Sequence, residues 1–554
     1  MAEEKKEKKK PRIFRRILKW IGLGVLSALI ILGLIFEAPW KVITLLLIVL
    51  AACTVLPKPA VKWFWLLVAV IILALVIWVF LPDRGEWQPF TYNFDKELAA
   101  LEAKRAVPDE ENAAVIYDRL LAVEANEEDE AEPNFVDDNC YDLTRSEPWL
   151  SKDHPEITEW LQKKEGTIAM LMEANRLESC RFPMSANLIG FDEHIDMLPK
   201  VRRWAYLLIR AGNNDLGEGR VDQGLEKYIA MLRIAKHVYE QPTMVDLLVG
   251  IAIEALALGQ FNRFAVTDDA TEEHLGIIEE ALTGIEHDWS SDFSRIFEYE
   301  KLLARSMLSN FYEENPEGKT RLSQDPLVEA RANAKVLVED EEMKKMLTDE
   351  QMRRISKLSL PLTYRQRKVL KASTILSWFF MPSTPEKAGK IIDASYERLY
   401  TMAEPNFDWQ KEREKPSKMF QLNYQYLVEY STEILAPAYH RTHDIYLRTV
   451  ATKKGSRIII ALRRYKNKNG TWPQTLDEIE PLAPAEIFVD PFNNGPFVYK
   501  LTDDSFMLYS KGKNNIDEKG EYNYDYEEEK AEPDDWLIWP PRSRKIKEGT
   551  ADAK

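Results

Sequence analysis

The sequence predicts a mainly α-helical protein with N-terminal transmembrane helices, a large soluble domain of helical hairpins and a small C-terminal α+β module. Three observations lead to this fold class: apolar runs within residues 17–82, amphipathic helical patterns in residues 83–440, and alternating apolar strands with turn residues in residues 441–537. A charged tail that we expect to be flexible follows at residues 538–554. At 554 residues the chain is too long for one ordinary hydrophobic core, so an anchor and two folded units are expected.

Three apolar runs predict a membrane anchor over residues 17–82. Residues 17–36 and 63–81 are each long enough to cross the hydrocarbon core as a helix, whereas residues 40–56 form a shorter, borderline run. The first run lacks the small-residue cleavage site of a signal peptide, and further apolar runs follow it. We therefore predict three membrane-spanning helices.

The positions of Lys and Arg predict the orientation of this anchor. Residues 1–16 form a basic tail that is expected to stay in the cytoplasm, and Lys58 and Lys62 return the second turn to the same side. Three spans then make this a multi-pass protein of the inner (cytoplasmic) membrane with its large domain extracytoplasmic. If residues 40–56 only re-enter the membrane, the large domain lies in the cytoplasm instead.

Charge is distributed unevenly along the chain. The net charge of the whole chain is −16, and residues 1–82 alone carry +8, which leaves −24 on the remainder. A soluble part this acidic repels the phosphates of nucleic acids, so we expect no nucleic-acid partner. The expected partners are the lipid bilayer and other proteins of the envelope.

The sequence has three cysteines, and it leaves open whether two of them form a disulfide. An exported location would permit a disulfide between Cys140 and Cys180, and two unpaired thiols are the alternative. No CxxC or Cys/His spacing indicates a zinc site.

The densest helical pattern lies at residues 198–264, which predict three helices with breaks near GNNDLGEG and EQPT. Residues 244–258 are apolar nearly all round but contain Glu254, which favours a central core helix over a fourth membrane span. We expect the Glu254 carboxylate to pair with an arginine, either Arg203 or Arg263.

The pattern changes after about residue 444. A helix is predicted to end at Gly470, and Thr475 and Glu478 have the spacing of a capping box for one short helix. The segments FVYKLTD and SFMLYSK then alternate about a DDS turn and predict a β-hairpin.

The order of these C-terminal elements resembles the C-terminal half of type II secretion major pseudopilins. The resemblance covers about a hundred residues and rests on turn and aromatic positions that occur in the same order: Tyr465, Gly470, Pro473, Leu476, Asp490, Pro491, Gly495, Pro496, Tyr499, Tyr509, Ser510 and Gly512. The N-terminus MAEEKKEKKK has no prepilin peptidase site, so the resemblance implies a structural module and not a pilus subunit.

The whole chain also resembles a family of large membrane-anchored envelope proteins of planctomycete-type bacteria. The segments VPDEENAAVIYDRLL and GRVDQGLEKYIAMLRIAKHVYEQPT carry this resemblance. It implies a location and an architecture but no activity.

The pseudopilin resemblance also implies a calcium site in the loop after the last hairpin. Asn515, Asp517, Asp534 and Asp535 are the candidate ligands, because calcium prefers carboxylate, amide and carbonyl oxygens. Calcium is the one candidate cofactor, and none is required by the sequence. The alternative is an acidic, solvated loop.

Few histidines are available for catalysis. His440 and His443 lie one helical turn apart beside Asp444, a spacing that can hold a metal ion, and His194 lies in the acidic segment FDEHID. A surface or capping role is the alternative for each of them. GNNDLGEG lacks the preceding strand and the Lys-Ser/Thr of a phosphate-binding loop.

These patterns favour a membrane-anchored extracytoplasmic scaffold or protein-interaction protein of the bacterial cell envelope, without identifiable catalysis. One alternative is a metal-assisted hydrolase that uses His440 and His443. A second alternative is an accessory component of a secretion or pilus-like system.

Overall fold

The computed structural model describes residues 87–89, 94–126, 132–137, 141–184, 188–309, 312–322, 385–404, 407–409, 411, 436–521 and 533–541. The three predicted membrane spans within residues 17–82 lie outside this set, as do Cys140 and residues 542–554 of the predicted tail.

Helices dominate the described residues, as the sequence predicts. In chain order they are α1 (Phe94–Lys104), α2 (Ala113–Asn126), α3 (Leu143–Ser146), α4 (Pro155–Lys163), α5 (Glu165–Ala174), α6 (Leu188–Gly217), α7 (Val221–Tyr239), α8 (Met244–Ala265), α9 (Glu272–Thr283), α10 (Trp289–Ser309), α11 (Pro385–Thr401) and α12 (Ala436–Asn469). Short 3₁₀ turns occupy Asp109–Glu111, Leu476–Glu478, Glu480–Leu482 and Ala485–Phe488.

Two small antiparallel sheets complete the described structure. The first has the strand order β1-β3-β2 and consists of β1 (Gln88–Pro89), β2 (Tyr312–Glu314) and β3 (Lys319–Leu322). The second has the order β4-β5-β6 and consists of β4 (Val498–Leu501), β5 (Phe506–Ser510) and β6 (Trp536–Trp539). The predicted C-terminal hairpin is therefore confirmed as β4 and β5, and β6 adds a third strand to it.

Helices α6, α7 and α8 confirm the three helices predicted in residues 198–264, and the first break falls at the end of GNNDLGEG, after Gly217. Helix α6 continues through GNNDLG to Gly217, and its polar side chains there find partners in α3 and in the segment that follows α3. The amide of Asn213 donates to the carbonyl of Thr144 over 2.9 Å, and that of Asn214 donates to the carbonyl of Trp149 over 3.3 Å. Asp215 pairs with Lys227 across the turn to α7.

Helix α8 is the one helix among the described residues that is long and apolar enough to cross a membrane. It starts at a capping box in which Thr243 and Asp246 exchange hydrogen bonds, and it packs between α7 and α12. Side chains around much of its circumference are buried, including Ile253 and Leu258. This packing fits the predicted core helix.

Helices α7 and α8 approach each other closely at Gly250. A Cβ atom at this position would lie 2.3 Å from Cβ of Tyr239 and 2.8 Å from the carbonyl oxygen of Ala235. Because part of this obstruction is backbone, it cannot be relieved by a change of rotamer. Glycine is therefore required here to set the distance between the two helices.

Helix α12 is covered on all sides in its middle. Five consecutive residues, 458–462, are each at most 1% exposed, although consecutive residues on a helix point in directions about 100° apart. Helix α8 packs on one side, and on another β6 presses Ile538 against Gly455, where a Cβ would lie 2.5 Å from the isoleucine side chain. The predicted domain boundary at residue 441 falls inside this helix, and one continuous hydrophobic core includes residues before and after it.

The C-terminal turns follow the predicted chemistry. Gly470 ends α12 with a φ of +81°, in the left-handed region that glycine tolerates. Thr475 and Glu478 form the predicted capping box at the 3₁₀ turn Leu476–Glu478. The buried carboxylate of Asp490 accepts hydrogen bonds from the backbone of Phe492 and the amide of Asn493, which closes the turn before β4.

A matched pair of glycine substitutions tests the contact between α7 and α8. We expect Gly250→Ala to lower the free energy of unfolding by about 2 kcal/mol, because the added methyl group meets the α7 backbone. Gly276→Ala on α9 meets no atom within 4 Å and should raise it by up to about 1 kcal/mol through helix propensity. Urea unfolding followed by tryptophan fluorescence measures both. Equal effects of the two substitutions would contradict the close approach.

A candidate calcium loop and the buried histidines

Asp534 and Asp535 lie directly before β6 and face the loop that follows β5. One oxygen of each carboxylate has backbone partners: Oδ2 of Asp534 accepts from the N–H of Lys513 over 2.9 Å, and Oδ2 of Asp535 accepts from the N–H of Gly520 over 2.8 Å. The other oxygen of each, Oδ1, is buried without a hydrogen-bond partner among the described residues. Unpartnered buried carboxylate oxygens are costly, and a bound cation would remove that cost.

The electrostatics of this loop favour a cation in the same place. Burial raises the pKa of Asp535 to about 6, and the nearby carboxylates of Glu518 and Asp517 add to the shift. Burial also raises the pKa of Asp534, again with a contribution from Glu518. Negative charge is therefore crowded into a site where water does not screen it fully.

The other two predicted ligands are placed differently. Oδ1 of Asp517 accepts from the hydroxyl of Tyr509 over 2.7 Å, and Lys500 lies 3.2 Å from Oδ2. The Tyr509 hydrogen bond lowers the pKa of Asp517. Asn515 adopts the left-handed conformation with a φ of +55° and helps the loop to turn.

Glu518 is a loop carboxylate that sequence reasoning missed. Its Oε2 accepts from the backbone N–H of Asp534 over 3.0 Å, and its Oε1 accepts from the amide of Asn514 over 2.6 Å. The adjacent acids in NNIDEKG were the only sequence signal for it. In the part of the chain that the structure describes, no three His, Cys, Asp or Glu side chains are already gathered as metal ligands. The fit to calcium therefore rests on Asp534 and Asp535, whose free oxygens suit a hard cation.

The prediction that Glu254 pairs with an arginine is wrong. Glu254 on α8 is fully buried, and its carboxylate lies 2.9 Å from Nε2 of His287, which follows α9. Arg203 lies exposed on α6 instead. The rings of Tyr239 and Tyr446 flank the imidazole at 5.4 Å each, so this pair connects α8 to α7 and α12 within an aromatic enclosure.

His194 is buried and fastens α6 to the start of α8. Its Nε2 lies 2.7 Å from Oδ1 of Asp246, while Oδ2 of Asp246 accepts from the hydroxyl of Thr243 over 2.6 Å. The carboxylate thus serves both the helix cap and the histidine. His194 is thus neither on the surface nor a cap itself, and it contacts the carboxylate that caps α8.

His440 and His443 pack against tryptophan rings. The imidazole of His443 stacks on Trp409 with a centroid distance of 4.1 Å and an angle of 11°, and it meets the edge of Trp289 at 4.6 Å. The ring of His440 meets Trp409 edge-on at 5.3 Å. The neighbouring Asp444 pairs with Lys513 of the C-terminal loop. These contacts give both histidines a packing role, and the hydrolase alternative stays a prediction.

A third buried histidine was missed because nothing in its sequence context is unusual. Nε2 of His237 lies 2.9 Å from the carbonyl of Leu177, so it carries the proton, and Nδ1 accepts from the hydroxyl of Tyr117 over 2.9 Å. Burial lowers the pKa of His237 to about 3, which keeps the ring neutral. The Tyr117–His237 pair connects α2 to α7.

Cys180 is buried, and burial raises the pKa of its thiol. Cys140 lies outside the described residues. The disulfide between them stays a prediction.

No known protein family, curated protein or solved structure matches the chain. Function is therefore inferred from its residues and geometry.

Asp535 allows a test of the cation site through pH. Because its pKa is raised, the folded state binds this proton more tightly than the unfolded state, and stability falls as the pH rises from about 4 through 6. Without calcium we expect a loss on the order of 2 kcal/mol over this range, and added calcium should restore it at pH 7. Thermal unfolding with EGTA or calcium measures both effects.

Asp535→Asn should remove the part of the pH-dependent loss that comes from Asp535, together with the response to calcium. Asp503→Asn, in the exposed turn between β4 and β5, is the matched control and should change neither. If calcium does not change the unfolding temperature of the wild-type protein at pH 7, the site is ruled out.

Proposed function

We propose that this protein is a membrane-anchored scaffold of the bacterial cell envelope, with an extracytoplasmic helical body that binds other envelope proteins. The observation that carries the proposal is the all-round burial of α12 at residues 458–462. A helix in this position joins the helical hairpins and the C-terminal sheet into one continuous core. A rigid body that presents several surfaces from one anchored platform suits a scaffold.

The buried ionisable groups support a structural role. The pairs His194–Asp246 and Tyr117–His237 each connect two helices, and Glu254–His287 connects α8 to the segment between α9 and α10. Polar pairs inside a core specify which helix faces which, since a wrong pairing leaves a buried group unsatisfied.

We propose that the C-terminal module shares the fold of a pseudopilin but does not assemble into a filament. Motif residues serve its turns: Gly470 ends the helix, Asp490 closes the turn before β4, and the hydroxyl of Tyr499 donates to the carbonyl of Pro473 over 2.8 Å. A filament subunit needs a helix that is free to pack against its neighbours. The burial of α12 supports a borrowed structural module over an accessory role in a secretion or pilus-like system.

Calcium is proposed to stabilise this module. The loop between β5 and β6 is connected to the helical body through the ion pair of Lys513 with Asp444 on α12. The backbone N–H of Lys513 also donates to Asp534. A cation at Asp534 and Asp535 would therefore stabilise the contact between the loop and α12 as well as the loop itself.

A truncation tests whether α12 completes the helical body. A chain that ends after Asp444 lacks Tyr446 and residues 458–462, which belong to the core, so we expect it to lose its protease-resistant folded part. A chain that ends after Pro541 is the control and should stay folded. Limited proteolysis and circular dichroism measure the outcome. A folded, protease-resistant product from the shorter chain would show that the helical body does not need α12.

The compartment is tested by labelling single cysteines in intact cells. With the natural cysteines replaced by serine, Glu110→Cys lies on an exposed turn and should react with a membrane-impermeant maleimide applied from outside. Lys8→Cys, in the basic tail expected in the cytoplasm, is the matched control and should react only after lysis. The reverse pattern would place the large domain in the cytoplasm.

A further inference from the structure

A cavity of about 350 Å³ opens between α7 and α9. This volume falls within the range of small-molecule sites, roughly 300–1,000 Å³. Its apolar lining consists of Ile229, Leu232, Ile277, Ala281 and Ile285, and its charged lining consists of Glu178, Arg233, Lys236 and Glu280. Leu232 and Ile285 are buried whereas Glu178 and Glu280 are exposed, so an apolar floor lies beneath a charged rim.

The basic side of this rim already holds a carboxylate. Arg233 Nη1 donates to Oε2 of Glu178, and Nζ of Lys236 lies 3.5 Å from the same oxygen. Arg233 and Lys236 are three residues apart on α7 and therefore point the same way. Their side chains are 24% and 19% exposed, whereas that of Glu178 is 70% exposed. Arg233 and Lys236 thus form a binding site for one carboxylate, and the carboxylate of Glu178 occupies it.

The remaining charges limit what could replace Glu178. The carboxylate of Glu240 lies 4.0 Å from Lys236, and Glu280 lies exposed on the α9 side of the cavity. Glu280 at the rim and Glu240 beside Lys236 would repel a head group with several negative charges. A single carboxylate attached to an apolar chain matches both the cation pair and the floor.

We propose that this cavity binds an amphiphile with one carboxylate head, such as a medium-chain fatty acid. The head displaces Glu178 from Arg233 and Lys236, and the apolar chain lies against Ile229, Ile277 and Ala281, the apolar lining residues that are exposed at least in part. This site is independent of the scaffold function proposed above.

Photolabelling of the full-length protein in detergent tests the site directly. A fatty acid with a diazirine in its chain is cross-linked, and labelled peptides are located by mass spectrometry. We expect labels in residues 229–236 and 277–285, suppressed by excess decanoate but not by the same excess of decanol. Labels in residues 1–82 report general partitioning into apolar surroundings and provide the internal reference.

Three variants separate the contributions at the rim. The double substitution Arg233→Gln with Lys236→Gln should raise the half-saturating probe concentration at least about tenfold, because two charge-assisted contacts are lost. Glu178→Gln should lower it about threefold or more, since the internal competitor loses its charge. Arg119→Gln, which removes an exposed ion pair with Glu173 outside the cavity, should leave it unchanged.

Three results would overturn the proposal. Decanol could compete as well as decanoate, the labels could be confined to residues 1–82, or Glu178→Gln could bind no better than the wild type. Glu178 is exposed, so its substitution is informative even if the double variant fails to fold, which thermal unfolding would reveal.

Discussion

The structure depends on covering one helix from every side. Helix α12 carries five consecutive buried residues, so no single neighbour can remove its apolar surface from water. Helix α8 covers one side and β6 another, and the β4-β5-β6 sheet is thereby positioned against the helical body. Sheet and hairpins are close together because both are needed around the same helix.

Ion pairs of two arginines hold the C-terminal end of α12 in position. Arg463 is buried, and its guanidinium donates to Asp268 in the turn after α8 over 3.1 Å. Its neighbour Arg464 contacts Glu272 and Glu279 of α9. Apolar packing alone would tolerate a shift along the helix axis, whereas these directional contacts favour one register.

Local features of the fold could be predicted from the sequence, and long-range partners could not. The helical periods, the capping box of Thr475 and Glu478, and the glycine that ends α12 depend on neighbours a few residues away, and each is present as predicted. The pairing of Glu254 with His287 joins residues 33 positions apart, and only the packed fold selects that partner. The partners of Asn213 and Asn214 in the last turns of α6 are equally distant, since their acceptors Thr144 and Trp149 lie more than 60 residues earlier.

In the candidate cation site, too, long-range partners could not be predicted from the sequence. The sequence proposes the loop and the acids Asp534 and Asp535 as a cation site, and that site stays a prediction. The sequence could not indicate that Asp517 turns toward Tyr509 and Lys500, since that depends on the register of β4 and β5. Glu518 was missed because its role comes from the way the loop folds back toward β6.

The late position of α12 in the chain also determines when the protein can fold. Tyr446 contacts Asp292, 154 residues earlier, and Arg463 contacts Asp268, 195 residues earlier. Until α12 has been synthesised, α8 lacks its cover on one side, and contacts of such high sequence separation form slowly. The core therefore closes only after nearly the whole helical body has been synthesised.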